Sequence, residues 1–400
     1  MTKKSPNLRT RLFQLHSWFG LHLFVILALM FLTGTLLVFV YQIEATFSSG
    51  QRLAEPAAIA ERASFGQMYD AATAYAPDGG ISVLAHSRSD WIADKAEVYI
   101  QGRGMRQLWF SGPEGSVGHE SALVNLRRIL FDFHSSFMTS HRIGALLAAT
   151  FGFVVLGFAI TGLVTYRRFW RGLGRLPSTQ NGARGWWAGL HRLLGVWLAP
   201  FLLIAGFTGS IYFFTTANVM THERLQARNG APREAAKPAG FDGAAVDAAV
   251  AAATAAAPGA TWEVVRLPGR ANDPILLFGY DDAALTGAEA ARAAVDPTNN
   301  EVLGVMRAAE LSPVGRFLEA TDQLHEGRFG GFATELLWVI FGAMATLLCA
   351  AGAAIYAART WRPDSTQGPV GRILARSVFI KWGIPAFLLA EIALAVVRFT

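Results

Sequence analysis

The 400-residue chain has very little cysteine and few charged residues, and both shortages narrow what it can be. Its single cysteine, Cys349, cannot form an intramolecular disulfide, and one thiolate cannot hold an iron–sulfur cluster. Any redox chemistry must therefore use a cofactor that other side chains hold. Only 16% of the residues are charged and 52% are hydrophobic, whereas soluble proteins carry about 25% charged residues. This composition predicts an integral membrane protein.

Several catalytic motifs are also missing from the sequence. No glycine-rich nucleotide fingerprint follows a predicted strand, and no Gly-x-Ser-x-Gly nucleophile motif is present. His325-Glu326 starts like the His-Glu-x-x-His zinc motif, but no second histidine follows at the required spacing. The net charge of +6 lies mostly in short loops beside apolar segments, where it indicates membrane orientation and no nucleic-acid partner.

Long apolar runs predict an α-helical membrane bundle with four core spans at residues 21–40, 143–166, 193–214 and 336–357, plus a fifth at 378–397. Basic residues in the short loops place the N-terminus in the cytoplasm. The predicted order is: cytoplasmic N-terminus with the first span (1–43), periplasmic domain (44–130), second span (131–166), basic cytoplasmic loop (167–190), third span (191–217), periplasmic domain (218–324), fourth span (325–358), cytoplasmic loop (359–377) and fifth span (378–400).

Each of the two long connections is predicted to form a small α+β domain. In the first, residues 65–75 have a helical pattern, and 81–85, 96–101 and 106–111 alternate like strands. In the second, residues 244–257 are nearly all alanine and are followed by strands at 262–267, 274–280 and 291–295, with a hairpin turn at 296–301. The alanine tract could instead be a disordered linker. The repeated order of elements predicts an internal duplication.

Histidines mark the ends of the apolar segments. Six of the nine lie there: His16, His22, His134, His141, His191 and His325. Ionisable groups at membrane level are costly and usually functional. The duplication is visible because the same residues recur at the same spacing around two of these histidines. His16, Gly20, Thr33 and Gly34 in the first half correspond to His191, Gly195, Thr208 and Gly209 in the second.

Histidines from facing helices are the usual axial ligands of haem iron in a membrane bundle. The repeat supplies two symmetric pairs, His16 with His191 and His134 with His325. His22 lies about 9 Å deeper than His16 along a helix and on a different face, so these two cannot share one iron. We predict two haems held by some combination of the six histidines, with the pairing open. The alternative is that these histidines are interfacial anchors or helix caps.

Two arginines and four glycines accompany the histidines. Arg142 and Arg328 follow outer histidines closely, where positive-inside topology does not explain them, and they are candidates to bind haem propionates or an anionic ferric chelate. Topology alone explains Arg192. The glycines allow close helix packing and leave room for a flat macrocycle: Gly34, Gly162, Gly209 and Gly352.

The chain resembles the PepSY-associated transmembrane family. The matching features are the His-x-x-x-Gly starts of two spans, the late Thr-Gly in each, residues 325–331 and the Asp-Pro-Thr-x-x-Glu-Val-Leu turn at 296–303. The resemblance implies a bacterial inner-membrane protein with two PepSY-like periplasmic domains, similar to ferric-siderophore reductases that carry haem b in the helical bundle. The reductase domains fused to some members are not seen in this sequence, so the electron donor stays open between quinol and a cytoplasmic protein.

Two classes of function are therefore expected. The first is a haem-dependent oxidoreductase that moves electrons across the bilayer to a periplasmic ferric siderophore and so serves iron uptake. The second is a non-redox PepSY-type binding or regulatory protein that acts on a periplasmic partner. A transporter ranks last, because both halves share one orientation and no broken helix or buried acid pair is evident.

Overall fold

The computed structural model describes residues 7–112, 115–139, 142–166, 168–359 and 379–399. It divides into two compact units. The bundle unit comprises Met1–Val38, Ile129–Met220 and Leu324–Thr400, and the sheet unit comprises Phe39–Arg128 and Thr221–Gln323. The predicted candidate His141, most of the predicted loop 359–377 and the first residue of the fifth span lie outside the described residues.

Helices form most of the described chain. They are α1 (Leu8–Val38), α2 (Val40–Phe47), α3 (Phe65–Tyr75), α4 (Leu126–Ser136), α5 (Arg142–Thr165), α6 (Gly182–Trp197), α7 (Ala199–Thr216), α8 (Gly243–Ala256), α9 (Pro313–Glu326), α10 (Phe332–Arg359) and α11 (Ile384–Phe399).

Four helices, α1, α5, α7 and α10, are long and apolar enough to cross a membrane. The chain is therefore a multi-pass membrane protein whose spans contact lipid. The first span begins at Leu8, well before the predicted residue 21, because no proline interrupts 8–38. The third predicted span is divided at Leu198, where Pro200 follows and cannot donate a backbone hydrogen bond. The fifth helix has only 16 regular residues after a π-helical turn at Phe379–Gly383.

Glycine brings two spans of the bundle unit into close contact. α5 packs along α7, and α1 packs along α10. At the first of these interfaces a Cβ on Gly152 would lie 2.3 Å from the backbone of Gly209 and Ser210. Only glycine permits this approach, and small residues are the usual means by which membrane helices pack closely.

The sheet unit contains eight antiparallel strands: β1 (Gly80–Ala85), β2 (Asp94–Ile100), β3 (Gly104–Phe110), β4 (His119–Ala122), β5 (Thr261–Arg266), β6 (Ile275–Tyr280), β7 (Ala291–Val295) and β8 (Val302–Met306). They form one sheet in the order β4-β3-β2-β1-β5-β6-β7-β8. The predicted helix at 65–75 is confirmed, and so is the turn at 296–301, which joins β7 to β8. The fourth strand of each half was missed because both are short and only partly buried.

We predicted two small α+β domains, whereas the structure joins both halves in a single unit. β1 pairs antiparallel with β5, with Leu84 opposite Val265. Each of these strands would otherwise be an exposed edge, and pairing them removes the unpaired N–H and C=O groups. One apolar core then includes α3, α8 and residues of both half-sheets. The alternative of a disordered alanine tract is wrong, since α8 is a helix whose Val246 is fully buried in this core.

Helices α3 and α8 of the sheet unit cap each other. Asp247 on α8 accepts from the backbone N–H of Gly66 at the start of α3, at 2.7 Å. Asp70 on α3 accepts from the N–H of Gly243 at the start of α8, at 2.8 Å. A carboxylate at a helix N-terminus satisfies free N–H groups and opposes the helix dipole. The two bonds are reciprocal, since each helix receives its capping carboxylate from the other.

Two charged clusters stabilise the sheet unit. Buried Asp94 accepts hydrogen bonds from Arg62 at 2.9 Å and from His86 at 2.8 Å. These bonds hold the pKa of Asp94 below its usual value, although burial alone would raise it. The second cluster places His222 beside Glu319 and Asp322, at 3.7 and 3.8 Å, with Arg292 also facing it electrostatically.

Candidate paired-histidine site

Two histidines face each other at the ends of the helices that lead from the sheet unit into the bundle unit. His134 is in the last turn of α4, and His325 is in the last turn of α9. Their ring centroids are 6.3 Å apart, with 53° between the ring planes. Tyr212 packs edge-on against His325 at 5.0 Å. We call His134 and His325 the second pair.

A further two histidines form the first pair, His16 on α1 and His191 on α6. Their ring centroids are 6.4 Å apart, with 83° between the planes. Phe158 packs edge-on against His16 at 5.0 Å. The two symmetric combinations that the repeat offered are thus the ones brought together in space. The third predicted span is divided at Leu198, seven residues after His191, so His191 lies on α6, the helix before the break.

Every one of the four rings has its Nδ1 within hydrogen-bond distance of an oxygen. Three of these oxygens are threonine hydroxyls, and the fourth is a backbone carbonyl. The contacts are His16 with Thr161 at 2.9 Å, His134 with Thr33 at 3.2 Å, His325 with Thr208 at 2.9 Å, and His191 with the carbonyl of Leu348 at 3.1 Å.

These contacts determine the tautomer of the four imidazoles. Each threonine hydroxyl donates its proton to a carbonyl of its own helix, at 2.7–2.8 Å, so its oxygen is left as an acceptor. The carbonyl of Leu348 can only accept. With the threonine protons directed to those carbonyls, the four acceptors favour the tautomer in which Nδ1 carries the proton and Nε2 keeps its lone pair. This is the protonation state in which an imidazole binds a metal through Nε2.

One glycine from each of the four spans lies beside one of the rings. The distances from a Cβ built on each glycine to the Cε1 of the neighbouring histidine are as follows: 2.8 Å from Gly34 to His134, 3.4 Å from Gly352 to His191, 3.7 Å from Gly162 to His16, and 3.7 Å from Gly209 to His325. Three of the four follow a threonine that bonds to the same ring, whereas the fourth follows Ala351. The absence of side chains at these positions leaves the ring edges unobstructed.

The two pairs are separated by most of the thickness of a bilayer. Thr33, which contacts the second pair, is 17 residues after His16, and Thr208 is 17 residues after His191. His16 and Thr33 lie on the continuous helix α1, so at 1.5 Å per residue their interval spans about 26 Å, compared with about 30 Å for the hydrocarbon core. Aromatic rings pack within this interval, with Phe201 5.4 Å from Trp338 and 6.4 Å from Phe31.

The arginines differ from the expectation. Arg142 donates from Nε to the carbonyl of Thr216 at the end of α7, at 2.7 Å, and Arg328 pairs with Glu326 at 2.8 Å. Both already have partners. Arg192, which topology alone seemed to explain, is adjacent to His191, and its buried Nε has no hydrogen-bond partner among the described residues. Its guanidinium lies 5.9 Å from the ring centroid of Tyr166.

Of the other predicted histidines, His22 is not part of either pair. The Nδ1 of His22 lies 2.7 Å from the carbonyl of Trp18, and its ring stacks on the Trp18 ring at 4.4 Å. His141 lies outside the described residues. Sequence reasoning had not connected the Thr-Gly steps to the histidines, and it had not noticed the third such step at Thr161-Gly162.

The donor set indicates which metal group fits. Structural and catalytic zinc sites need three or four protein ligands, but among the described residues no group of three or more His, Cys, Asp or Glu could hold a metal ion. Haem iron needs only two axial protein ligands. Each pair brings two imidazoles together, with ring centroids 6.3 and 6.4 Å apart, and such a pair would supply the two protein ligands of one haem iron. The orphaned Arg192 Nε next to the first pair suits an anionic propionate.

The fold and these contacts define a multi-pass α-helical membrane protein with an antiparallel sheet and two histidine pairs. Residues 13–359 match the family described as the PepSY-associated TM region, and the chain belongs to that family. The chain is also similar to a protein of Pseudomonas aeruginosa strain PAO1 named as uncharacterized protein PA4219. The two are 34% identical over 83 residues, which cover 21% of each chain. The match therefore spans about a fifth of that relative's length.

Proposed function

We propose that this protein is a haem-containing reductase of the bacterial inner membrane that delivers electrons to a periplasmic ferric chelate. The observation that carries the proposal is the pair of two-histidine sites with ring centroids 6.4 and 6.3 Å apart. Each site offers two Nε2 lone pairs and no third protein ligand among the described residues. That is the donor set for haem b, with two haems in each chain.

Within this proposal the chain positions the cofactors and controls their surroundings. Bound at each pair, haem supplies one-electron transfer between Fe(III) and Fe(II). His16 and His191 bind one iron, and His134 and His325 bind the other. The guanidinium of Arg192 neutralises a propionate at the first pair. Phe31, Phe201 and Trp338 exclude water between the two sites and fill the interval with packed rings.

The spacing of the pairs supports a transmembrane path. An interval of about 26 Å puts one site near each face of the hydrocarbon core. With the N-terminus in the cytoplasm, as the basic loops predict, His16 and His191 would hold a haem on the side of the electron donor, which is quinol or a cytoplasmic protein. His134 and His325 would hold a haem on the periplasmic side, where the acceptor is a ferric siderophore. Siderophores bind Fe(II) weakly, so reduction releases the iron.

The test is haem stoichiometry in purified histidine variants. The wild-type protein expressed with ample haem precursor is expected to hold two haems, measured as the pyridine haemochrome, with a Soret band that shifts on dithionite. His134→Ala and His325→Ala should each lose the same haem, and the double variant should lose no more. Combining His134→Ala with His16→Ala should remove both haems.

Matched controls come from histidines outside the pairs. His22→Ala removes a ring at a similar position on α1, and His222→Ala removes one in the sheet unit; both are expected to retain two haems. A colourless, folded wild-type protein would overturn the proposal. It would favour the alternative of a non-redox binding or regulatory protein that uses the sheet unit to recognise a periplasmic partner.

A further inference from the structure

The threonines beside the histidine pairs have a role that hydrogen bonding within a helix does not explain. Serine and threonine in membrane helices commonly donate to the carbonyl four residues earlier. Thr33, Thr161 and Thr208 all do so. In each case the second lone pair of the hydroxyl is aimed at the Nδ1 of a histidine on another helix. Three independent helices repeat this geometry, once for each of three rings.

We propose that Thr33, Thr161 and Thr208 are positioning residues that set the tautomer and the basicity of the paired histidines. This inference rests on the proposed haem binding. Each hydroxyl oxygen accepts the Nδ1–H bond, which holds the ring with its Nε2 lone pair toward the partner histidine. An imidazole that donates through Nδ1 is a stronger electron donor at Nε2. A stronger axial donor stabilises Fe(III) and lowers the reduction potential of that iron.

The glycine that follows each threonine completes the positioning unit. Gly34, Gly162 and Gly209 have the edge of the same ring within 2.8–3.7 Å of where a Cβ would be. The hydroxyl therefore fixes one nitrogen, while the glycine leaves space for the carbon between the two nitrogens. A Thr-Gly step on one helix can in this way orient a histidine on another.

The step before Gly352 lacks a threonine, so the two histidine pairs differ in the number of hydroxyl groups that contact them. Ala351 precedes Gly352, so no hydroxyl is available, and the Nδ1 of His191 donates to the carbonyl of Leu348 instead. The second pair thus has two hydroxyl acceptors, and the backbone of Met30 also forms a hydrogen bond with His134. The first pair has one hydroxyl, from Thr161, and one carbonyl, which side-chain substitution cannot remove. The proposal therefore predicts that threonine substitutions have a larger combined effect at the second pair.

The experiment is a redox titration of threonine-to-valine variants of the full-length haem protein, followed at the Soret band. Valine has nearly the shape of threonine but cannot accept a hydrogen bond. Thr208→Val and Thr33→Val are expected to shift the midpoint of one and the same haem upward, and the double variant should shift it further. Thr161→Val should shift the other haem. Thr208→Ser retains a hydroxyl and should restore the wild-type midpoint.

The control is Thr150→Val. Thr150 also lies in a span and donates to a carbonyl of its own helix, and no described contact joins it to a histidine. It is expected to leave both midpoints unchanged. If the valine variants at 33, 161 and 208 behave like Thr150→Val, the inference is overturned.

A second readout does not depend on haem. In protein with ¹⁵N-labelled histidine and no haem, ¹⁵N NMR spectra should show the Nδ1–H tautomer at the paired histidines, and Thr208→Val should lower its population at His325. A wild-type protein that never binds porphyrin but shows this tautomer shift would refute the proposed function while supporting the positioning role. A protein that binds porphyrin, but whose threonine variants change neither the tautomer nor the midpoint, would support the proposed function and refute the positioning role. If Thr208→Val does not fold, the Thr33→Val and Thr161→Val variants carry the same test.

Discussion

Replacing Gly34 with alanine is expected to remove the haem of the second pair. The new Cβ would lie 2.8 Å from Cε1 of His134, whereas carbon atoms in favourable contact are about 3.5–4.0 Å apart. The ring must therefore move by about 0.7 Å or more. A metal–nitrogen bond of about 2 Å is not maintained over such a displacement.

The energetic balance points the same way. Alanine in place of glycine favours a helix by about 1 kcal/mol, but overpacking a tight contact costs about 1–3 kcal/mol. Part of this overpacking cost is avoided if the ring of His134 moves away from His325. That movement separates the two imidazoles that would bind the iron. The helix itself should therefore form normally while the ligand geometry is lost.

The assay is the pyridine haemochrome together with the visible spectrum of purified variants. Gly34→Ala should hold about half the wild-type haem, with the first pair retained. In a matched series the distance from the new Cβ to the histidine Cε1 increases and the expected effect decreases. Gly352→Ala, at 3.4 Å, should perturb the first pair mildly, and Gly162→Ala, at 3.7 Å, should be tolerated. Gly157→Ala, with nothing within 4 Å of the new Cβ, should be neutral or slightly stabilising. Full haem content with an unchanged spectrum in Gly34→Ala would refute the reasoning.

Three other predictions concern charged groups. Arg192→Gln should weaken haem retention at the first pair several-fold, measured by transfer to apomyoglobin, with Arg192→Lys intermediate; equal retention in all three proteins would exclude a propionate contact. The nearby Glu319 carboxylate raises the pKa of His222, while His222 lowers the pKa of Glu319, which burial alone would raise. The contribution of His222 to the free energy of unfolding is complete below its unfolded pKa of about 6.5, and it is lost as the pH rises through the raised pKa of the folded state. The contribution of Glu319 is lost as the pH falls through its lowered pKa. The pair should thus stabilise the sheet unit most at about pH 5–6, by about 0.5 kcal/mol because it is partly exposed, and a pH series of melting temperatures should lose this component in His222→Ala. Asp94→Asn should destabilise the sheet unit by about 3 kcal/mol because it leaves the charge of Arg62 buried without a counterion, and an unchanged urea midpoint would contradict the role assigned to this ion pair.

The spans and the local elements could be predicted because their causes are local. A run of about 20 apolar residues must be helical in a membrane, whatever surrounds it. The helix at 65–75 follows from side-chain periodicity and capping by Ser64, and the strands after it follow from alternation, which are properties of short segments. The short strands at 119–122 and 302–306 were missed because they have little burial pattern of their own.

The pairing of the sheet halves could not be predicted from the sequence. Strands β1 and β5 each have a normal apolar pattern that is compatible with an exposed edge or a paired one. Their partnership depends on contacts between residues about 180 positions apart, such as Leu84 with Val265. Nothing in either segment specifies the other, so two separate domains were the simpler expectation.

The histidines at the ends of the spans, and the repeat that relates them, were determined by the sequence alone. Only the tertiary structure decided that His16 meets His191 and His134 meets His325, and that the His22 ring packs on Trp18. It also decided that the buried Nε of Arg192 has no hydrogen-bond partner among the described residues. The physical reason is that helix periodicity gives the depth and direction of a side chain relative to its own axis. Which side chain it faces depends on how four helices pack, and in this bundle that packing depends on glycines whose contacts lie on other helices.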